Sequence, residues 1–136
     1  MLKSVIAGWA GIGVAFAIID LIWLGLIADG FYRNQLGALR AETVNIPAAI
    51  AFYLIMVTGI LVFAVLPAVR AESVMAALGA GAFLGLLCYA TYDLTNLATT
   101  RDWPLLMSLV DIAWGTMLTA IASVAGYYAA RAAAGG

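Results

Sequence analysis

Four apolar runs, at about residues 5–28, 47–66, 74–97 and 105–130, leave this chain few ways to fold. Each is long enough to cross a bilayer, since a helix rises ~1.5 Å per residue and the hydrocarbon layer is ~30 Å thick. Inside lipid every backbone amide needs a partner from the protein itself, so runs of this kind become helices. The connections are short, the longest being about residues 29–46, and no linker, repeat or second domain interrupts the series. The expected fold is an all-α integral membrane protein, a single antiparallel bundle of four transmembrane helices filling residues 1–136. With 66% hydrophobic residues and 10% charged ones, the chain lies far from the roughly 25% charge of a soluble domain.

Local signals mark the ends of the runs. Asn45 is placed to cap the second helix, Pro47 suits its first turn and Pro67 marks its exit. Glu72-Ser73 precede the third run and Asp102-Trp103-Pro104 the fourth. The first run follows only Met1-Leu2-Lys3-Ser4, yet it exceeds the apolar core of a signal peptide, and Leu26-Ile27-Ala28 is not a small-x-small cleavage site, so it reads as a retained anchor. The first loop carries Phe31-Tyr32 where an interfacial aromatic would sit and is expected to lie partly helical on the membrane surface.

Six Lys and Arg against seven Asp and Glu give a net charge of -1, so no basic field exists for nucleic acid. Histidine is absent, which removes the commonest general base and metal ligand. Cys88 is the single cysteine and reads as a small buried hydrophobe. No cofactor motif is recognisable, and membrane lipid is the expected surrounding partner.

Against this background Asp20, Asp93 and Asp111 stand out, because carboxylates are costly in hydrocarbon and usually face a bundle interior with partners. Successive spans alternate direction, so the ends of spans one and three share a membrane side with the starts of spans two and four. All three aspartates therefore fall in one leaflet, Asp20 and Asp111 about 9–12 Å below that end of the bundle. Asn45 and Tyr53 of the second span lie at the same end. On the third span Gly81, Gly85, Tyr89, Tyr92, Asp93 and Asn96 fall within an arc of about 120° at 100° per residue. The glycines read as close helix packing. Spans one and four each carry Asp-x-x-Trp, Asp20 with Trp23 and Asp111 with Trp114, which puts each indole near the face of its carboxylate.

The segments Tyr92-Asp93-Leu94-Thr95-Asn96-Leu97-Ala98, Asp102-Trp103-Pro104, Val110-Asp111-Ile112-Ala113-Trp114-Gly115-Thr116 and Asp20-Leu21-Ile22-Trp23-Leu24-Gly25 together resemble the bacterial membrane family catalogued as domain of unknown function 2177. Phe31-Tyr32, Gln35-Leu36-Gly37 and Phe52-Tyr53 fit the same pattern. The resemblance implies a small four-span protein of the inner membrane and brings no activity with it.

The residues fit three readings. In the first, Asp20, Asp93, Asn96 and Asp111, supported by Tyr89, Tyr92, Trp23 and Trp114, form a site that binds a small polar ligand or cation or relays protons. Three acids in a low dielectric cannot all stay ionised without a cation or donors. In the second, the chain is a packing or assembly subunit, as a homo-oligomer or in a larger membrane complex, and the acids hold the helix register through hydrogen bonds to Tyr, Trp, Asn and Thr. Separately, Arg101 folding inward as a counter-charge would turn the acidic cluster into a structural charge network. The third is a lipid-modifying enzyme, although acidic diphosphate-binding runs, histidine boxes and a G-x-S-x-G elbow are missing. Basic residues are balanced, Lys3, Arg70 and Arg131 on the terminus side against Arg33, Arg40 and Arg101 on the side of the first loop. The expected placement is multi-pass in the inner membrane with both termini cytoplasmic.

Overall fold

The computed structural model describes residues 1–135. Four long apolar helices carry the molecule: α1 (Leu2–Ile27), α3 (Ile46–Arg70), α4 (Val74–Thr99) and α5 (Leu105–Ala134). A short helix, α2 (Asp29–Leu36), and a 3-10 turn at Gly37–Leu39 fill the first loop. No strand occurs among the described residues. The chain is an all-α membrane bundle, as its hydropathy predicts.

The caps sit where the sequence puts them. The Asn45 side chain accepts from the Ala48 amide at 3.1 Å, and Ser73 does the same for Ala76 at 3.2 Å, each occupying an otherwise orphaned donor of a first turn. The end of the second helix differs from expectation, because α3 runs through Pro67 to Arg70. A wide π-helical turn at Leu61–Val65 lies just before the proline, and such turns loosen the hydrogen-bond ladder that a proline would otherwise break. A second π-helical turn, Trp23–Ile27, ends α1.

Small residues decide which helices meet most closely. Gly81, Gly85 and Gly115 bring α4 against α5, while Gly8, Gly11 and Gly126 bring α1 against α5. A Cβ on Gly115 would land on the Tyr89 ring, and one on Gly85 would meet the Gly115 carbonyl. In lipid, where apolar burial between helices gains little, this close approach is the main source of association. The Gly81-x-x-x-Gly85 pair thus serves packing, as its spacing implies.

Helix α5 is consequently central, flanked by α1 and α4. Helix α3 leans on α1 along Ile46–Ile60 and reaches α4 closely only from its Leu61–Val65 turn onward. A core of Ile12, Phe16, Ile60, Val65, Leu118 and Ala122 seals the terminus-side half. Towards the first loop, α3 and α4 diverge and leave a cleft between them.

Candidate functional site

The cleft contains a cavity of about 360 Å³. Helix α1 contributes Asp20 and Leu24, α3 contributes Ala49, Phe52 and Tyr53, α4 contributes Cys88, Tyr89 and Tyr92, and α5 contributes Asp111. Two carboxyl groups therefore stand in a wall made otherwise of aliphatic and aromatic side chains.

Asp20 is held from two sides. On α1 it follows Ile12 and Phe16 at four-residue spacing along the buried face. Its Oδ2 accepts from the Tyr53 hydroxyl at 2.5 Å and its Oδ1 from the Trp114 indole N–H at 3.1 Å. The Phe16 ring meets the Tyr53 ring edge-on at 5.5 Å and fixes its direction. One carboxylate thus ties α1 to both α3 and α5.

Asp111 is reached from above. Helix α2 folds over the mouth of the bundle, and the Tyr32 hydroxyl donates to Asp111 Oδ1 at 2.6 Å. The Trp23 indole donates in turn to the Tyr32 oxygen at 3.2 Å. Burial first, and then the donor bond to Asp111, hold the Tyr32 phenol well above its usual range, so it remains a donor. Trp23 and Trp114 stack with centroids 4.3 Å apart and planes 10° apart, joining the Asp20 and Asp111 branches into one network. The short helix is anchored outside the membrane by Asp29, which pairs with Arg40 at 2.6 Å and Arg33 at 3.0 Å. Those two guanidinium groups hold the Asp29 carboxyl below the usual carboxylate range.

Asp93 has a different setting. It is 0% exposed, and neither carboxyl oxygen receives a hydrogen bond from a donor among the described residues. What faces it, within hydrogen-bonding reach, is the carboxyl group of Asp111. Buried polar atoms are nearly always satisfied. Two adjacent carboxyls satisfy one another only when one of them carries a proton to donate.

The three aspartates lie at one end of the bundle, but they divide into Asp20 with its two donors and the Asp93–Asp111 pair. No three acidic or cysteine side chains among the described residues assemble into a group able to hold a metal ion. Tyr89 lines the cavity with its ring seated on Gly115, and Tyr92 lines its outer edge, 52% exposed and edge-on to Trp103. Asn96 does not join the cluster: its amide donates to the Tyr92 carbonyl at 2.9 Å and its Oδ1 accepts from Thr100, within its own last turns of helix. Arg101 is exposed in the turn before α5 and makes no ion pair among the described residues. Counter-charge from Arg101 is replaced by neutral donors from Tyr53, Trp114 and Tyr32.

The Asp-x-x-Trp spacing places both indoles correctly, but their partners are crossed. Trp114 serves the aspartate of the other helix, and Trp23 serves a tyrosine. Tyr32 was visible in the sequence only as an interfacial aromatic, and its role depends on α2 turning back over the bundle.

A family model for predicted membrane proteins, domain of unknown function 2177, matches residues 5–128. The chain belongs to that family. The match covers all four long helices up to Tyr128, so the cavity and every residue of the hydrogen-bond network lie within the part that the DUF2177 family shares. Neither a curated protein nor a solved structure matches the chain significantly.

Proposed function

We propose that this membrane protein uses the cavity between α3 and α4 to receive a small polar or cationic group and that the Asp93–Asp111 pair exchanges a proton with it. The observation that carries the reading is Asp111: it lines the cavity on one side and faces the unpartnered, buried Asp93 on the other. A positive charge or strong donor arriving at Asp111 stabilises its ionised form, and the proton shared by the pair leaves as the charge enters. Charge in the low-dielectric interior is then conserved, one unit entering for one proton released. Asp20, already satisfied by two donors, shapes the opposite wall.

Dicyclohexylcarbodiimide, an apolar reagent that modifies protonated carboxyls within membranes, tests the shared proton. Labelling should concentrate on Asp93 or Asp111, and either Asp93→Asn or Asp111→Asn should abolish it at both positions while Asp20→Asn leaves it. Undiminished labelling of the remaining partner in a single variant would show two independent acids and end this reading.

We also propose the inner membrane with both termini in the cytoplasm; with the basic residues balanced, the lean comes from Asp29, Glu42 and Asp102 on the first-loop side against Glu72 alone on the other. In that orientation the acidic mouth faces the periplasm. Cysteines introduced at Gly37 and Ser73 report it: an impermeant outside reagent should modify the first and spare the second.

A further inference from the structure

We infer that the occupant of the cavity is a lipophilic organic cation, an alkylammonium amphiphile that enters sideways from the bilayer. This deepens the proposed function and rests on the cavity being a binding site. The argument begins with the opening. The Ile46–Ile60 part of α3 stands off from α4 while Leu61–Val65 packs against it, so the cavity lies on a lateral side of the four long helices. Leu24, Ala49 and Phe52 line the cavity on one side and Cys88 on the other, all fit for an aliphatic chain.

The polar end of the ligand is defined by what it would meet. Tyr53, Tyr89 and Tyr92 join Phe52 around the cavity, and the two carboxyls of Asp20 and Asp111 complete it, with no Lys or Arg in the wall. Aromatic faces attract ammonium groups through the ring quadrupole, more strongly when desolvated. Carboxylates add the charge. An anionic head would be repelled by the same acids, and a neutral hydroxyl would gain nothing from the rings.

The inference also accounts for helix α2. Tyr32, bonded to Asp111 and supported by Trp23, places α2 at the first-loop end of the site. The lateral route lies between α3 and α4, and a ligand using it must first partition into lipid.

The test uses the full chain in lipid nanodiscs and three chain-matched decyl probes bearing a photoreactive group: a trimethylammonium, an alcohol and a sulfate. Crosslinks mapped by mass spectrometry should fall on Phe52, Cys88 and Tyr92 for the ammonium probe. They should weaken roughly tenfold or more in Asp111→Asn, the loss expected when a desolvated cation forfeits its counter-charge. Cys88→Phe, which fills the cavity and leaves the acids in place, should suppress labelling as well, while intact size-exclusion behaviour shows that each variant is folded. Equal labelling by all three heads, or ammonium labelling unchanged in Asp111→Asn, would overturn the ammonium assignment but leave the binding site. Absence of labelling at these residues by any probe removes the site itself. Replacing phosphatidylglycerol discs with phosphatidylethanolamine discs separates two sources of the same chemistry: competition assigns the ammonium to a lipid headgroup, and its absence assigns it to a free amphiphile.

Discussion

Asp20 shows how a carboxylate becomes tolerable in hydrocarbon without a basic neighbour. Both oxygens are committed, one to a phenol and one to an indole, so the group is satisfied by two donors from other helices. Asp20→Ala would strand both donors, each at an expected cost of about 1–3 kcal/mol, whereas Tyr53→Phe removes one bond and leaves the indole in place. Thermal unfolding in detergent should therefore rank Asp20→Ala as clearly more damaging than Tyr53→Phe, and an equal effect would place the stabilising role elsewhere. At Asp29 the sign of the pH response is set by its lowered folded-state value. Its pairing supports α2 above the ordinary aspartate range of about 3.9 and is lost as pH falls through the depressed value. Hydrogen exchange of the α2 amides should accelerate in strong acid, and Arg40→Gln should move that acceleration to higher pH. Residue identities told the acids and indoles apart from packing residues, but not which indole meets which acid, since that depends on the rotation of two helices about their own axes.

Helix α3 and its π-helical turn illustrate how an element can be legible in kind and hidden in detail. Hydropathy and the Asn45-Ile46-Pro47 start are plain in the sequence, yet Pro67 reads as an exit because nothing local announces the wide turn that lets the helix continue. That turn inserts an extra residue between the halves of α3. Deleting Phe63, which lies within it and faces outward, should restore a regular helix and rotate the first half by about 100° relative to the second. Tyr53 would swing away from Asp20, and both the ammonium labelling and the thermal stability should fall. The α4–α5 contact makes a complementary prediction. Gly115→Ala would drive a methyl group into the Tyr89 ring, an overpacking expected to cost roughly 1–3 kcal/mol. Adding Tyr89→Ala should recover part of that loss in unfolding measurements, because it removes the obstructing ring.

Across the whole molecule the helices form a wedge, tight where the termini lie and spread where α3 and α4 part. Alternation of the spans foretold that the acids would gather at one end of the bundle. The wedge was not foretold, because the order of helices around the bundle and their tilts leave no trace in hydropathy. Spin labels at Ile50 and Leu94, both exposed and on opposite sides of the cleft, should give a broader distance distribution than a pair such as Phe63 and Phe83 nearer the closed end. Equal widths would mean that the cleft is as rigid as the sealed half.

The glycine-lined seam between α4 and α5, and its counterpart between α1 and α5, carry a consequence for how such a chain can change. The seams run along glycines of α1, α4 and α5, whereas part of the cavity wall is made by residues that lie off them. Residues such as Leu24, Ala49 and Cys88 are free to grow or shrink without loosening the seam, and a lineage could retune which molecules it admits while inheriting its fold intact.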